Sequence, residues 1–285
     1  MAALNPSSDI SSFINTVFEA AILVARDNNV MSGLVRTFND RTGVAVRQNS
    51  QYGGATINSI AETDDLVGQS FTPSSIATLT PAEVGAQYVM TDTRVESDPF
   101  TVRNDASMDL GLAMATKFET DLISNFTSFS SGTIGAAGSA ITWSYFFNME
   151  AILRNAHAPY PYYALLHPYQ WNVLAKAASV SGTRTNAASS LLEEVNSMFF
   201  VQQVGGVYIF VSSNITPNAT TDDAYCGMWS RDALALDMRR QPRIEPERDA
   251  SRRAWELNLS AVYAHGVWRP TFGVAGLFDA ATPTT

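Results

Sequence analysis

The chain contains a single cysteine, Cys226. An intrachain disulfide is therefore excluded, and a reducing compartment is expected. The thiol itself reads as a small buried hydrophobe. Lysine is nearly as scarce, with only Lys117 and Lys176 against sixteen arginines. The three histidines, His157, His167 and His265, stand at no metal-ligand spacing from one another. His167 precedes Pro168 and reads as a helix-start residue, and His265 as a core histidine. No apolar run approaches the roughly 18 residues of a membrane span, and the N-terminus lacks a basic signal-peptide region. The N-x-S/T matches at Asn125, Asn214, Asn218 and Asn258 then carry no meaning. There is no P-loop, no G-x-S-x-G elbow and no dinucleotide fingerprint. Adjacent acids such as Asp64-Asp65 and Asp222-Asp223 read as solvated turns rather than a calcium site. No catalytic residue, metal or cofactor is expected.

Charged residues make up only 16% of the 285 residues, while hydrophobic ones make up 46%. The length suggests roughly two domains at about 150 residues each. The core supply is ample, but little charge is left to cover a large exposed surface. Two readings fit. One is an ordinary globular protein; the other hides much of its surface against copies of itself. The net charge of −9 and pI near 4.8 argue against a basic face for nucleic acid. Arginine suits bidentate ion pairs at interfaces, although a GC-biased genome would also favour it.

The longest ordered element is a helix predicted from Asp98 to Phe129. Asp98 can cap it and Pro99 fits its first position. At about 100° per residue, Met108, Leu112, Ala115, Phe118, Leu122 and Phe126 share one face. Asp109, Thr116, Lys117, Thr120, Asp121 and Ser124 share the other. Before it, residues 8–27 form an amphipathic helix with Ile10, Phe13, Ile14, Val17, Phe18, Ala21 and Val24 in a stripe. A second short helix is predicted over about 31–38, closed by the turn Asp40-Arg41-Thr42-Gly43.

Residues 44–97 are rich in β-branched residues, Gly, Ser and Thr. Strand-like runs fall near 44–49, 55–60, 75–80 and 86–92. They read as a long two-stranded arm with its tip near 62–72, or alternatively as edge strands of a larger sheet. An isolated hairpin is at best marginal in water, so such an arm must lean on something outside its own domain or move.

After the long helix, Thr142 caps a helix whose Tyr145, Met149, Ile152, Leu153 and Ala156 share a face. The strand YYALL and the helix PYQWNVLAKAA follow, then a loop over 181–189. SMFFVQQV-GG-VYIFVSS is a hairpin turned at Gly205-Gly206. YCGMW begins a strand. Trp255, Leu257, Leu259, Ala261 and Tyr263 alternate with polar residues in a half-buried strand. Arg269-Pro270 breaks it, and TFGVAGLF forms one more.

Three stretches in this order resemble the tailed-bacteriophage major capsid (coat) protein family, whose fold is shared with encapsulins and herpesvirus capsid floors. IATLTPAEVGAQYVMTD looks like the returning strand of that family's extended loop, running into its spine helix. YALLHPYQWNVL looks like the strand-to-helix step of its axial domain. RRAWELNLSAVYAHGVWRPTFGVAGL looks like its long peripheral strand with the following Arg-Pro. The resemblance implies an α+β fold with an N-terminal arm (1–40) and an extended β-hairpin loop (41–97). It implies a peripheral domain (98–141 and 238–268) carrying the spine helix, an axial α/β domain (142–237 and 269–280) and a tail (281–285).

The implied function is a shell protein, not an enzyme. Hexamers and pentamers would build an icosahedral virion capsid around double-stranded DNA, assembled in the bacterial cytoplasm. The extended loop would lie over the next subunit. Arg47, Asp64, Asp65, Phe71 and Arg94 are its candidate interface residues, facing Arg239, Arg240 or Arg243 of a neighbour. Implied partners are the chain itself, a separate scaffolding protein, a portal protein, a decoration protein and packaged DNA bound without sequence preference. Some family members join a loop Lys covalently to an Asn. Residues 41–97 contain no Lys, so no such link is expected here. An encapsulin-type shell with enzyme cargo is the near alternative. A soluble α/β hydrolase using a Ser with His167 or His265 is the remote one.

Overall fold

The computed structural model describes residues 30–52, 56–60, 62, 65, 68–70, 73–97, 101–180 and 200–283. The helix expected over 8–27, the Asp98-Pro99 cap, the loop over 181–189, and Asp64 and Phe71 lie outside these residues.

The long helix, α3, spans Thr101–Ser124 and continues as a 3₁₀ turn over Asn125–Ser128. Its buried stripe differs from the expected one. Leu110, Met114, Ala115, Phe118, Leu122 and Phe126 are buried, whereas Met108 is 48% and Leu112 41% exposed. The inward face includes Ser107, Gly111 and Glu119. Ranking positions by hydrophobicity undervalues such small or polar residues and turns the helix too far toward Met108 and Leu112. The preceding segment is also corrected. The helix expected over 31–38 is one turn, α1 (Met31–Leu34), followed by a short strand, β1 (Arg36–Phe38).

Beneath α3 lies a four-stranded sheet in the order β1, β10 (Leu234–Asp249), β11 (Ala254–Val267), β4 (Ala82–Thr91). β1 runs parallel to β10, and the other neighbours are antiparallel. The alternation read from β11 holds at Leu257, Leu259, Ala261 and Tyr263, which are buried, while Trp255 is only half-buried. These residues share one core with α3, and Phe118 meets Tyr263 edge-on at 4.7 Å between ring centroids. β10 carries the charged stretch that precedes β11. Its register shifts twice between Met238 and Arg243, around Pro242, which cannot donate to the ladder. A one-turn helix, α2 (Asp92–Ser97), joins β4 to α3.

The other face of this sheet has its own small core. Ala235 and Ala264 meet Trp268, Phe38, Ala77 and Leu79 there. Ala77 and Leu79 come from β3 (Pro73–Leu79), which pairs antiparallel with β2 (Arg47–Tyr52). These two strands coincide with the runs read near 44–49 and 75–80 in the segment expected to form an arm. The strand expected at 86–92 belongs instead to the four-stranded sheet, as β4. No strand is assigned over 56–60, which is exposed throughout.

A six-stranded sheet forms the rest. Its order is β5 (Thr133–Gly135), β12 (Gly273–Asp279), β9 (Asp223–Ser230), β6 (Tyr162–Leu166), β8 (Val207–Val211), β7 (Phe200–Val204). Thr142 caps α4 (Trp143–Asn155) by accepting from the Tyr145 backbone N–H. α5 (Pro168–Val180) follows β6. Side chains of β6 alternate between two cores. Tyr162, Ala164 and Leu166 face α4 and α5, while Leu165 faces the end of α3. The β7–β8 turn is made at Gly205 and Gly206, both at positive φ, as expected.

The end of α3 locks onto this sheet through Phe126 and Phe129. A Cβ built on Gly227 would lie 2.9 Å from three atoms of the Phe126 ring. Gly227→Ala is therefore expected to force a buried ring out of place and cost about 1–3 kcal/mol, seen as a lowered midpoint in denaturant unfolding. An unchanged midpoint would mean that the ring is not confined there.

Candidate subunit interface

Of the eight residues expected at an interface, Asp64 and Phe71 lie outside the described residues, and the other six are spread over the arm, α2 and β10. Arg47 and Arg239 do meet, but on Asp237 of their own chain. Arg47 Nε donates to Asp237 Oδ2 at 2.8 Å, and Arg239 Nη2 donates to the same oxygen at 2.8 Å. Asp237 is fully buried, and both arginine side chains are nearly so. Arg47 also pairs with the exposed Asp40, whose carboxyl that contact holds below its ordinary range. The charges of Arg47 and Arg239 are thus engaged within the subunit. Arg240 pairs with Glu83 of β4, and Arg243 with Glu245 at 3.1 Å. Arg94 is exposed on α2, and Asp65 is exposed in the arm.

Asp237 had a sequence signal that charge counting overlooks. It is the one acid in the apolar run Ala233-Leu234-Ala235-Leu236-Asp237-Met238. An acid at an inward strand position requires a partner, and here two arginines supply it.

The exposed apolar residues form a second set missed by the search for ion pairs. On the body are Met108 and Leu112 of α3, Tyr88 on the face of β4 toward α3, Val89 on its other face, and Phe147, Tyr160, Val173 and Tyr225 about the six-stranded sheet. The Tyr88 hydroxyl donates to the Asp109 carboxylate, which ties β4 to α3. On the arm are Ile57, 96% exposed, and Ile60, with Val44 and Val46 near its base. Met108 and Leu112, one turn apart on α3, are the contiguous pair in this set.

The groups best suited to chemistry are occupied structurally. His167 is buried, and its Nδ1 accepts from the Tyr169 backbone N–H at 3.3 Å, a helix-start contact. Burial pulls its pKa down. His265 Nδ1 lies 3.0 Å from Asn125 Nδ2, and burial likewise favours its neutral form. Burial pushes the Cys226 thiol up to about 12, so it stays protonated and unreactive at neutral pH. Among the described residues no group of three or more His, Cys, Asp or Glu could hold a metal. None of the described helices is long and apolar enough to cross a membrane.

Glu119, on the inward face of α3, is also fully buried. It accepts from Asn214 Nδ2 at 2.9 Å and bonds Ser212, both just after β8. Burial raises its pKa above the ordinary 4.5. The native state therefore holds this proton more tightly than the unfolded chain does. Stability contributed here is present at low pH and falls as pH rises from 4.5 through the raised value. Glu119→Gln is expected to flatten that part of the stability-against-pH curve, measured as the difference from wild type. An identical slope would contradict the assignment.

The fold thus places a four-stranded sheet between α3 and the foot of the arm, with apolar side chains exposed on both arm and body. Comparison with known proteins gives the class. A family model described as phage capsid protein matches residues 76–276. The chain therefore belongs to the phage capsid protein family, and its role is structural and shell-forming. No curated protein matched. Among solved structures, one from Mycobacterium phage Che8 is similar at 17% identity and TM-score 0.68, over 87% of this chain and 90% of that one. The capsid structure of a cyanophage is similar at 15% identity and TM-score 0.65, over 89% of each chain. An encapsulin complex from Synechococcus elongatus is similar at 11% identity and TM-score 0.64, over 90% of this chain and 89% of that one. At these identities the likeness shows the fold, an α+β capsid fold that encapsulins share.

Proposed function

We propose that this chain is the major capsid protein of a tailed phage, without catalytic activity, and that it assembles in the bacterial cytoplasm as hexamers and pentamers. These close into an icosahedral shell around double-stranded DNA. The observation that carries the reading is the arm. Its foot is buried in its own subunit at Ala77 and Leu79, while Ile57 and Ile60 stand open. A neighbour supplies the cover, and repeated head-to-tail contacts of this kind close into rings. In this reading the spine helix and four-stranded sheet, with β4, make the peripheral domain. The six-stranded sheet, with β5, makes the axial domain, and β2–β3 with the segment between them is the extended loop.

Asp65, Arg94, Arg240 and Arg243, with Asp64 and Phe71, are the polar and aromatic candidates for the contact. Exposed pairs of this kind are worth only about 0–1 kcal/mol each, so most of the adhesion is assigned to the apolar patches. A separate scaffolding protein, a portal protein and a decoration protein are the further partners. An acidic subunit leaves packaged DNA free to move over the inner wall. Because the loop has no lysine, purified particles are expected to run as monomers on denaturing gels without reductant. A ladder of multimers would refute this.

The second reading is an encapsulin-type compartment, favoured by the similarity to the Synechococcus elongatus complex. Electron microscopy of particles from infected or expressing cells, with assay of their nuclease-protected contents, separates the two. Protected DNA supports the phage reading, and a cargo protein without nucleic acid supports the other. Small monodisperse species would oppose both.

A further inference from the structure

The arm is rooted in the body over residues 47–49 and 77–79, and the members of its innermost cross-strand pair are anchored by opposite chemistry. Arg47, the first residue of β2, is the Cα partner of Leu79, the last residue of β3. Leu79 is fully buried over Gly266, where a Cβ would lie 2.8 Å from its Cδ2. Arg47 places its guanidinium 4.2 Å from the centroid of Phe38 and donates to Asp237. Phe38 in turn packs on Trp268, with ring centroids 5.0 Å apart. Further bonds tie down β2 and the segment just before it. Arg239 Nη2 donates to the Ala45 carbonyl at 2.8 Å, and Asn49 Nδ2 to the Trp268 carbonyl at 2.9 Å.

The charge cluster is a poor device for stability alone. Asp237 Oδ1 and Arg239 Nε and Nη1 are buried without a partner. Apolar residues of the same volume commonly hold a fold as well as an incompletely bonded buried ion pair does. What charge and cation–π geometry add is direction, because a guanidinium fork fixes angles that an apolar contact leaves free.

We propose that Arg47 and Asp237 are positioning residues that set the direction of the arm within the lone subunit, so that the arm is aimed before any neighbour is met. The idea rests on the arm acting as an inter-subunit contact, but its test does not require assembly. Preorganisation of this kind raises affinity by lowering the ordering cost of association.

The test uses the full-length subunit below its assembly concentration. Arg47→Met removes the arm's charge yet leaves the Asp237–Arg239 pair in place, so folding is retained. Hydrogen exchange at 47–49 and 77–79 is expected to quicken at least ten-fold, with 162–166 in the other sheet unchanged. Spin labels at Ile57→Cys and Ser144→Cys should show a distance distribution at least two-fold broader in Arg47→Met. Arg47→Lys, which keeps the charge without the fork, should fall between. Unchanged exchange and width would overturn the proposal. Equal quickening in both sheets would also overturn it, since that outcome assigns Arg47 to general stability. A chain that forms no particles but shows the localised loosening would refute the shell reading and leave the anchor standing.

Discussion

Replacing Asp237 with Ala is expected to lower subunit stability by about 3–5 kcal/mol. The loss comes from the two arginines left behind. Arg47 and Arg239 both donate to the same carboxylate oxygen, and the Arg239 side chain is completely buried. Without that oxygen, Arg47 keeps only the exposed Asp40 and the face of Phe38, and Arg239 keeps only the Ala45 carbonyl. A buried cation without its counter-charge is among the most destabilising changes a core can suffer. The loss is limited by release of the arm foot, which would bring Arg47 to water. Thermal melting followed by circular dichroism gives the size, and exchange at 47–49 shows whether the arm is released. Changing Arg47, Asp237 and Arg239 together to apolar residues should recover much of the loss, because the three act as a unit. A single Asp237→Ala variant as stable as wild type would mean that the cluster carries no buried charge.

Replacing both Met108 and Leu112 with Asp should affect the subunit modestly and impair the shell strongly. Both side chains are about half exposed on α3, and the helix-propensity and like-charge cost of two aspartates four residues apart is about 1 kcal/mol. In an assembled shell the same carboxylates would face an apolar cover at every copy. A loss of only about 1.4 kcal/mol per contact is tenfold in an association constant, and closed rings repeat the contact. The critical concentration for particles, read by sedimentation, is expected to rise at least tenfold while the melting temperature falls by only a few degrees. Ile57→Asp should act in the same direction. Particles forming at the wild-type concentration would remove the α3 patch from the interface.

Much of the fold was legible in the sequence, for reasons that differ from element to element. β11 could be read because one face packs on a helix and the other does not, so period two survives from Leu257 to Ala261. Gly205-Gly206 could be read because positive φ at two successive positions selects glycine. Thr142 could be read because its hydroxyl closes the first turn of α4. The face of α3 could not be read correctly. Its inward stripe holds Ser107, Gly111 and Glu119, which earn their place from what the sheet beneath presents. Nor could β1, three residues long, which depends on pairing with β10. The charged half of β10 was visible as composition, but its strand state depends on β11 alongside. Arg47 and Arg239 were singled out by their charge, yet only the fold shows that Asp237 claims them both. The exposure of Met108 and Leu112, finally, could not be read from hydrophobicity, because it depends on which face of α3 the sheet takes.

The central claim is that the arm of one copy is completed by the body of the next. Cryo-electron microscopy of the assembled full-length chain tests it most directly. Closed particles with density for residues 56–60 lying across an adjacent subunit are the predicted result. An arm folded back on its own body, or a chain that stays monomeric well above micromolar concentration, would contradict it.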